Sequence, residues 1–261
     1  KRVSRRGEQT RANKGDGVTT PVLFDTKNDC LDIVLNRPDE GNLITNEMGL
    51  EIARVLREVG PQIKLIRLRG NGANFCKGRQ APKIDRDTMT PLQMRQPIAE
   101  VPLTLYAAIK EARAPTLAIV QGEAIGVGCA LAAVCDMTLA ADDAVFQVPE
   151  LNHNIAPTLV MWALIDRVPY KTAAYLVYSR ERITAQRAEF LGVVTKVIPA
   201  AELESEAVAL SQSLLSRAAT SLQGIKEFLK FGSRMDPASA SAYSATLNAA
   251  VSASAPREPH R

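Results

Sequence analysis

Histidine is nearly absent from this chain of 261 residues, and that scarcity closes off several kinds of chemistry. Only His153 and His260 occur, so a histidine zinc site or a Ser-His-Asp triad would have to rest on His153. Neither is expected, and no metal site is assigned. The four cysteines, Cys30, Cys76, Cys129 and Cys135, match no CxxC or other metal spacing. They read as buried free thiols of a reducing compartment. Aromatic residues make up 5%, which leaves Ala, Leu and Val to build the core. No apolar run approaches the ~20 residues needed to cross a bilayer. No signal peptide is visible either, so a cytoplasmic protein without membrane contact is expected.

Charge of one sign is also missing from most of the chain. The formal net charge is +4, yet residues 1–16 hold six Lys or Arg against Glu8 and Asp16. The remainder is close to neutral, which argues against a basic face that grips nucleic acid. Residues 1–20 lack apolar periodicity and are expected to form a disordered basic tail. That tail leaves organelle import open. The 46% hydrophobic content is ample for a large core.

Glycine and alanine, by contrast, are concentrated. Gly122 to Asp136 reads GEAIGVGCALAAVCD, nine of its fifteen residues being Gly, Ala or Cys. So bare a backbone suits tight helix packing in a core. It suits equally a helix N-terminus whose N–H groups face a polarised oxygen. The stretch follows Thr116 to Val120, which reads as a buried strand. Upstream, Val22 to Thr26 and Cys30 to Leu35 form a predicted hairpin across Lys27-Asn28-Asp29. Thr45 is placed to cap a helix burying Met48, Ile52, Val55 and Leu56. Ile63 to Leu68 reads as a strand running into the glycine-bearing loop GNGANFCKGRQ, and Val101 to Ala112 as a helix. Short strands are predicted at Met137 to Ala140, Ala144 to Gln147 and Val193 to Ile198. Helices are expected from Thr158 onward, with Pro169 at one start, Thr184 capping another and Gly192 ending it. The result is an α/β core over 21–200 and a helical region over 201–261, interrupted at Pro237.

Two strand-to-loop transitions, one ending near Gly78 and one near Gly126, can each present a backbone N–H to a common point. An oxyanion hole requires that arrangement, with donors ~2.7–3.1 Å from the developing charge. Glu150 follows a strand and Pro149 amid apolar neighbours, where a carboxyl can take a raised pKa and act as acid or base. Taken alone, Glu150 reads equally as a surface glutamate or a helix N-terminal one.

Together, FCKGRQ, the small-residue stretch through Phe146, and VPE resemble the enoyl-CoA hydratase/isomerase family, the crotonase superfamily. LNRP at 35–38 and RITAQRAEFLGVVTKVIP at 182–199 add landmarks in the same order. The resemblance implies a spiral of stacked ββα units with a helical C-terminal trimerisation region, as a homotrimer or a dimer of trimers. It implies an acyl-CoA thioester as substrate and no cofactor beyond the CoA moiety. The oxyanion donors carry over to the N–H groups of Arg79 and Val127. The family usually has glycine at the latter position, and valine there is expected to narrow or twist the hole. Acyl-CoA contacts carry over to the backbone around Phe75, Cys76, Gly78 and Gln80, and to Gly126 and Gly128. A Cβ at Gly78 or Gly128 is expected to crowd the thioester. Arg37 and Lys83 are candidate phosphate partners.

Hydratases of the family carry two glutamates. Here Glu150 occupies one position and Ala130 the other, so isomerisation by a single carboxyl is favoured over hydration. Hydration or lysis with another acid/base is the alternative, His153 and Glu123 being the candidates. A non-catalytic family member that binds acyl-CoA or RNA is the competing class, and nucleic acid is not the expected partner.

Overall fold

A computed structural model describes residues 20–85 and 87–254. The basic stretch 1–19 and His260 lie outside the described residues. The chain opens with β1 (Val22–Lys27) and β2 (Cys30–Leu35), an antiparallel hairpin. Asn28 and Asp29 both take positive φ, 50° and 62°. Two such residues make the turn whose twist matches the strands. The helix α1 (Asn46–Glu58) begins where expected, the Thr45 hydroxyl accepting the Met48 N–H at 3.2 Å. Met48, Ile52, Ala53 and Leu56 form its buried face, with Val55 partly covered.

β3 (Leu65–Gly70) begins at Leu65 rather than Ile63, and pairs parallel with β2. A helical run then covers Pro91 to Glu111. It comprises α2 (Pro91–Arg95), a π turn at Gln96–Glu100 and α3 (Val101–Glu111). Pro97 lacks an N–H, and the widened turn accommodates its missing hydrogen bond. β4 (Thr116–Val120) follows, buried at every position as a central parallel strand should be.

From here the ββα repeat is explicit. Gly122, at φ +58°, turns the chain out of the large sheet into β5 (Glu123–Ile125). A Cβ on Gly122 would stand 2.1 Å from the Ala73 carbonyl oxygen, so the corner admits only glycine. α4 (Val127–Val134) comes next, buried all round. β6 (Met137–Ala141) returns to the large sheet, β7 (Val145–Gln147) joins the small one, and α5 (Thr158–Leu164) follows a 3-10 turn at Glu150–His153. α6 (Tyr170–Ser179) starts just after Pro169. β8 (Ile183–Thr184) leads into α7 (Ala185–Phe190), where the Thr184 hydroxyl accepts the Arg187 N–H. Gly192, at φ +79°, lies just past that helix, and β9 (Lys196–Ile198) is shorter than the predicted Val193 to Ile198.

The large sheet has the order β1-β2-β3-β4-β6-β9, parallel except for the first hairpin, and the small one β5-β7-β8. The C-terminal region is helical: α8 (Leu203–Leu215), α9 (Ala219–Phe231) and α10 (Pro237–Ser254). Pro237 opens the last of these, where its absent N–H costs nothing. Among the described residues, no helix is long and apolar enough to cross a membrane.

Candidate active site

The loop after β3 is held by its own hydrogen bonds. Asn42, fully buried, donates to the carbonyls of Asn71 (2.9 Å) and Asn74 (2.7 Å) and accepts the Arg37 N–H. The loop then runs beside β5. Cys76 donates to the Glu123 carbonyl at 3.0 Å and accepts the Ile125 N–H at 2.9 Å. Further on, the Ile44 N–H bonds the Gly78 carbonyl, and the Gln80 N–H bonds Ile44. In such a parallel bridge the residue between, Arg79, turns its own N–H away from Ile44. Val127 opens α4, and a first-turn N–H has no acceptor inside its helix.

Gly128 brings these two transitions together. A Cβ there would lie 2.0 Å from the Cys76 carbonyl oxygen. The expectation that Gly128 spares room for a thioester is therefore corrected: the close neighbour is the loop's own backbone. Gly78 differs. Its Cβ would find Ile125 O at 3.7 Å and Leu43 at 3.9 Å, ordinary contacts, but φ is +130°, a conformation side chains rarely adopt. The Val127 side chain packs into the core cluster, so its branching is absorbed by packing. Phe75 and Cys76 are fully buried, their N–H groups bonded to the Gln121 and Glu123 carbonyls, so the expected acyl-CoA contact at these two residues is corrected.

Glu150 stands at the head of the 3-10 turn after β7, behind the half-buried Pro149. The Cβ position of Gly126 is 2.8 Å from Glu150 Oε1, so the bare Gly126 leaves room for the carboxyl at the start of α4. Glu150 Oε2 is buried without a hydrogen-bond partner among the described residues. Burial pushes the carboxyl above the usual carboxylate range, opposed only by its own backbone N–H. Ala130 is fully buried and, with Leu131, Ala132 and Ala133, brings no polar side chain to α4.

Other candidates are placed elsewhere. Glu123 is corrected as an acid/base: its carboxylate pairs with Lys77 at 2.8 Å and with Arg182. The hydrogen bonds from Lys77 and then Arg182 hold it below the ordinary range, so it stays ionised. His153 is exposed at the far end of the Glu150 turn. The Arg37 guanidinium is spent on Glu40, the Leu43 carbonyl and Gln80 Oε1, which leaves it little freedom to meet a phosphate. Lys83 is exposed and, with Gln80, lines a cleft of about 410 Å³ beside Thr45 and Asn46.

Sequence reasoning missed two contributors. The Arg79 guanidinium donates to Ile98 O (2.6 Å), Asn46 Oδ1 (2.7 Å) and Pro97 O, tying the loop to the π turn. Tyr106, in α3, is fully buried, and its hydroxyl has no hydrogen-bond partner among the described residues. A lone polar-tipped aromatic among Leu105, Ala108 and Ile109 was the available signal.

Gly126 and the first turn of α4 thus lie beside a carboxyl whose ionised form burial disfavours. Comparison with known proteins shows the class. The model of the enoyl-CoA hydratase/isomerase family matches residues 25–258. The chain is 29% identical over 202 residues to 2,3-dehydroadipyl-CoA hydratase of Escherichia coli, covering 76% of this chain and 77% of that one. It is 27% identical over 203 residues to hydroxycinnamoyl-CoA hydratase-lyase of Pseudomonas fluorescens, covering 76% and 74%. The solved enoyl-CoA hydratase of Mycobacterium smegmatis superposes with a TM-score of 0.83 at 24% identity, over 89% of this chain and 91% of that one. The chain belongs to the enoyl-CoA hydratase/isomerase family, with the crotonase fold, and is an enzyme of that type.

Proposed function

We propose that the chain binds enoyl-CoA thioesters, stabilises the thioester enolate with the N–H groups of Arg79 and Val127, and moves the proton with Glu150. The Glu150 carboxyl beside Gly126, its Oε2 buried without a hydrogen-bond partner among the described residues, carries this reading. As the C2–H bond of a β,γ-enoyl thioester breaks, its electron pair forms C1=C2 and places charge on the oxygen. Glu150 holds the proton. On collapse of the enolate the C1=O bond reforms, C2=C3 forms, and the former C3=C4 pair takes the proton at C4.

Isomerisation is favoured over hydration because Ala130 and its neighbours offer nothing to place or deprotonate a water. The activities named for the two relatives favour hydration as the second reading. The chemistry needs no cofactor beyond the CoA moiety, and the working unit is a trimer or a dimer of trimers.

Two rates test this: conversion of a β,γ-enoyl-CoA and hydration of the α,β-enoyl-CoA of the same chain. The first is expected to be faster, and Ala130→Glu, if folded, to gain hydration. A faster hydration by the unmodified chain would overturn the isomerase reading. Glu150→Gln is expected to keep acyl-CoA affinity and lose ~10²–10⁴-fold in rate.

A further inference from the structure

The half-buried Arg79 guanidinium spends its charge on neutral oxygens. It donates to Ile98 O at 2.6 Å, to Asn46 Oδ1 at 2.7 Å and to Pro97 O, and among the described residues no carboxylate pairs with it. The two carbonyls share a defect in the helical run. In an α turn Ile98 O would accept from Pro102, and in a π turn Pro97 O would accept from the same residue. Proline has no N–H to give. Arg79 thus supplies, from the loop after β3, the donor that Pro102 removes from this ladder. The run has little else to hold it, since neither α2 nor the π turn buries a residue. Asn46, in the first turn of α1, adds one more bond to Pro97 O, at 3.2 Å. Asn46 and Pro97 also border the cleft of about 410 Å³ beside Gln80, so the tie joins residues of that cleft.

We propose that the Arg79 side chain is a positioning group for the reaction: it docks the α2–π run onto the loop after β3 and thereby fixes the direction of the Arg79 N–H. One residue carries both parts. Its backbone is flanked by the bonds from Ile44 N to Gly78 O, 3.0 Å, and from Gln80 N to Ile44 O, 2.9 Å. Its side chain is fixed by the three oxygens of Asn46, Pro97 and Ile98. With both ends held, the peptide between them has little freedom to turn, and a donor preset in direction costs no reorganisation when charge develops. A planar guanidinium suits the task because its fork reaches several oxygens at once, which a single ammonium does not.

The inference rests on the Arg79 N–H being an oxyanion donor, and its test separates the two. Arg79→Met and Arg79→Lys both keep that N–H and lose the fork. For each and for the unmodified chain, kcat is measured with a β,γ-enoyl-CoA, and affinity with a saturated acyl-CoA. The C=O stretching frequency of that bound thioester, isotopically labelled at the carbonyl, is read by infrared spectroscopy. The unmodified chain is expected to lower the frequency below its value in water. Arg79→Met should lose part of that lowering and ~10–100-fold in kcat, the scale of a small misplacement, with affinity retained. Arg79→Lys should fall between the two, and it serves as the test if the methionine variant does not fold. A frequency lowered equally in the variants overturns the proposal and leaves the oxyanion reading standing. Affinity lost in step with kcat also overturns it, by marking a cation that meets the CoA. No lowering in the unmodified chain overturns the oxyanion reading itself.

Discussion

Glu150 is held in an environment that disfavours its ionised form. The unfolded chain ionises it near ~4.3, the usual glutamate value. Burial in the fold raises that value, so the native state binds the proton more tightly. Its favourable contribution is complete below the unfolded value and is lost as pH rises through the folded one. At neutral pH the buried carboxylate therefore weighs against the fold. Glu150→Gln is expected to melt at higher temperature than the unmodified chain at pH 7 to 8, with the gain vanishing toward pH 4. Thermal melts across pH check this, and a gain independent of pH would contradict it. Glu150 was legible because strand, Pro149 and carboxyl are contiguous in sequence. Glu123 was not, because Lys77 and Arg182, which neutralise it, come from distant segments that only the fold joins.

Elements were legible where the signal is local, and illegible where it is not. The Thr45 and Thr184 caps, the Asn28-Asp29 turn and the buried run of β4 are written in adjacent residues. In the small sheet, β7 was expected from its sequence, whereas β5 and β8, of three and two residues, are too short for periodicity to register. The anchoring of the C-terminal helices was equally hidden. Lys226 of α9, 2% exposed, reaches Asp136 Oδ2 at 2.7 Å and the Ile109 carbonyl at 3.2 Å. Asp136 also accepts the Thr116 N–H at 2.8 Å, at the edge where α4 gives way to β6. Breaking a buried pair by removing one partner strands the other, at a cost of ~3–5 kcal/mol. Thr116 still serves Asp136, so Lys226→Met is expected near the lower end, ~3 kcal/mol. Denaturant unfolding measures it, and limited proteolysis should find α9 and α10 cut first. A loss below ~1 kcal/mol, the scale of a surface pair, would show that Lys226 is not the anchor.

At the scale of the whole molecule, one stretch carries much of the exposed apolar surface. Ile155, Trp162, Ile165, Tyr170, Tyr178 and Phe190, from the Glu150 turn through α7, are all at least 40% exposed. Single exposed apolar residues are ordinary, but this many large ones on consecutive elements are what the proposed trimer would cover. The charge distribution permits association, because the formal excess lies in residues 1–16 and the rest is near neutral. A second copy of the chain is the occupant that fits the proposed trimer. Sedimentation is expected to show a particle of about three times the 28.3 kDa chain, or twice that again. Placing carboxylates on the surface with Tyr178→Glu and Phe190→Glu should release monomers, since a buried interface cannot solvate them. A monomeric unmodified chain would remove the trimer. The proposed site gives the experiment a second edge. In the proposed site Glu150, Arg79 and Val127 come from a single chain, and the close approach of Gly128 to Cys76 is internal to it. The released monomer should therefore keep measurable turnover of enoyl-CoA per chain. Complete loss of turnover in a folded monomer would mean that the neighbouring copy completes the pocket.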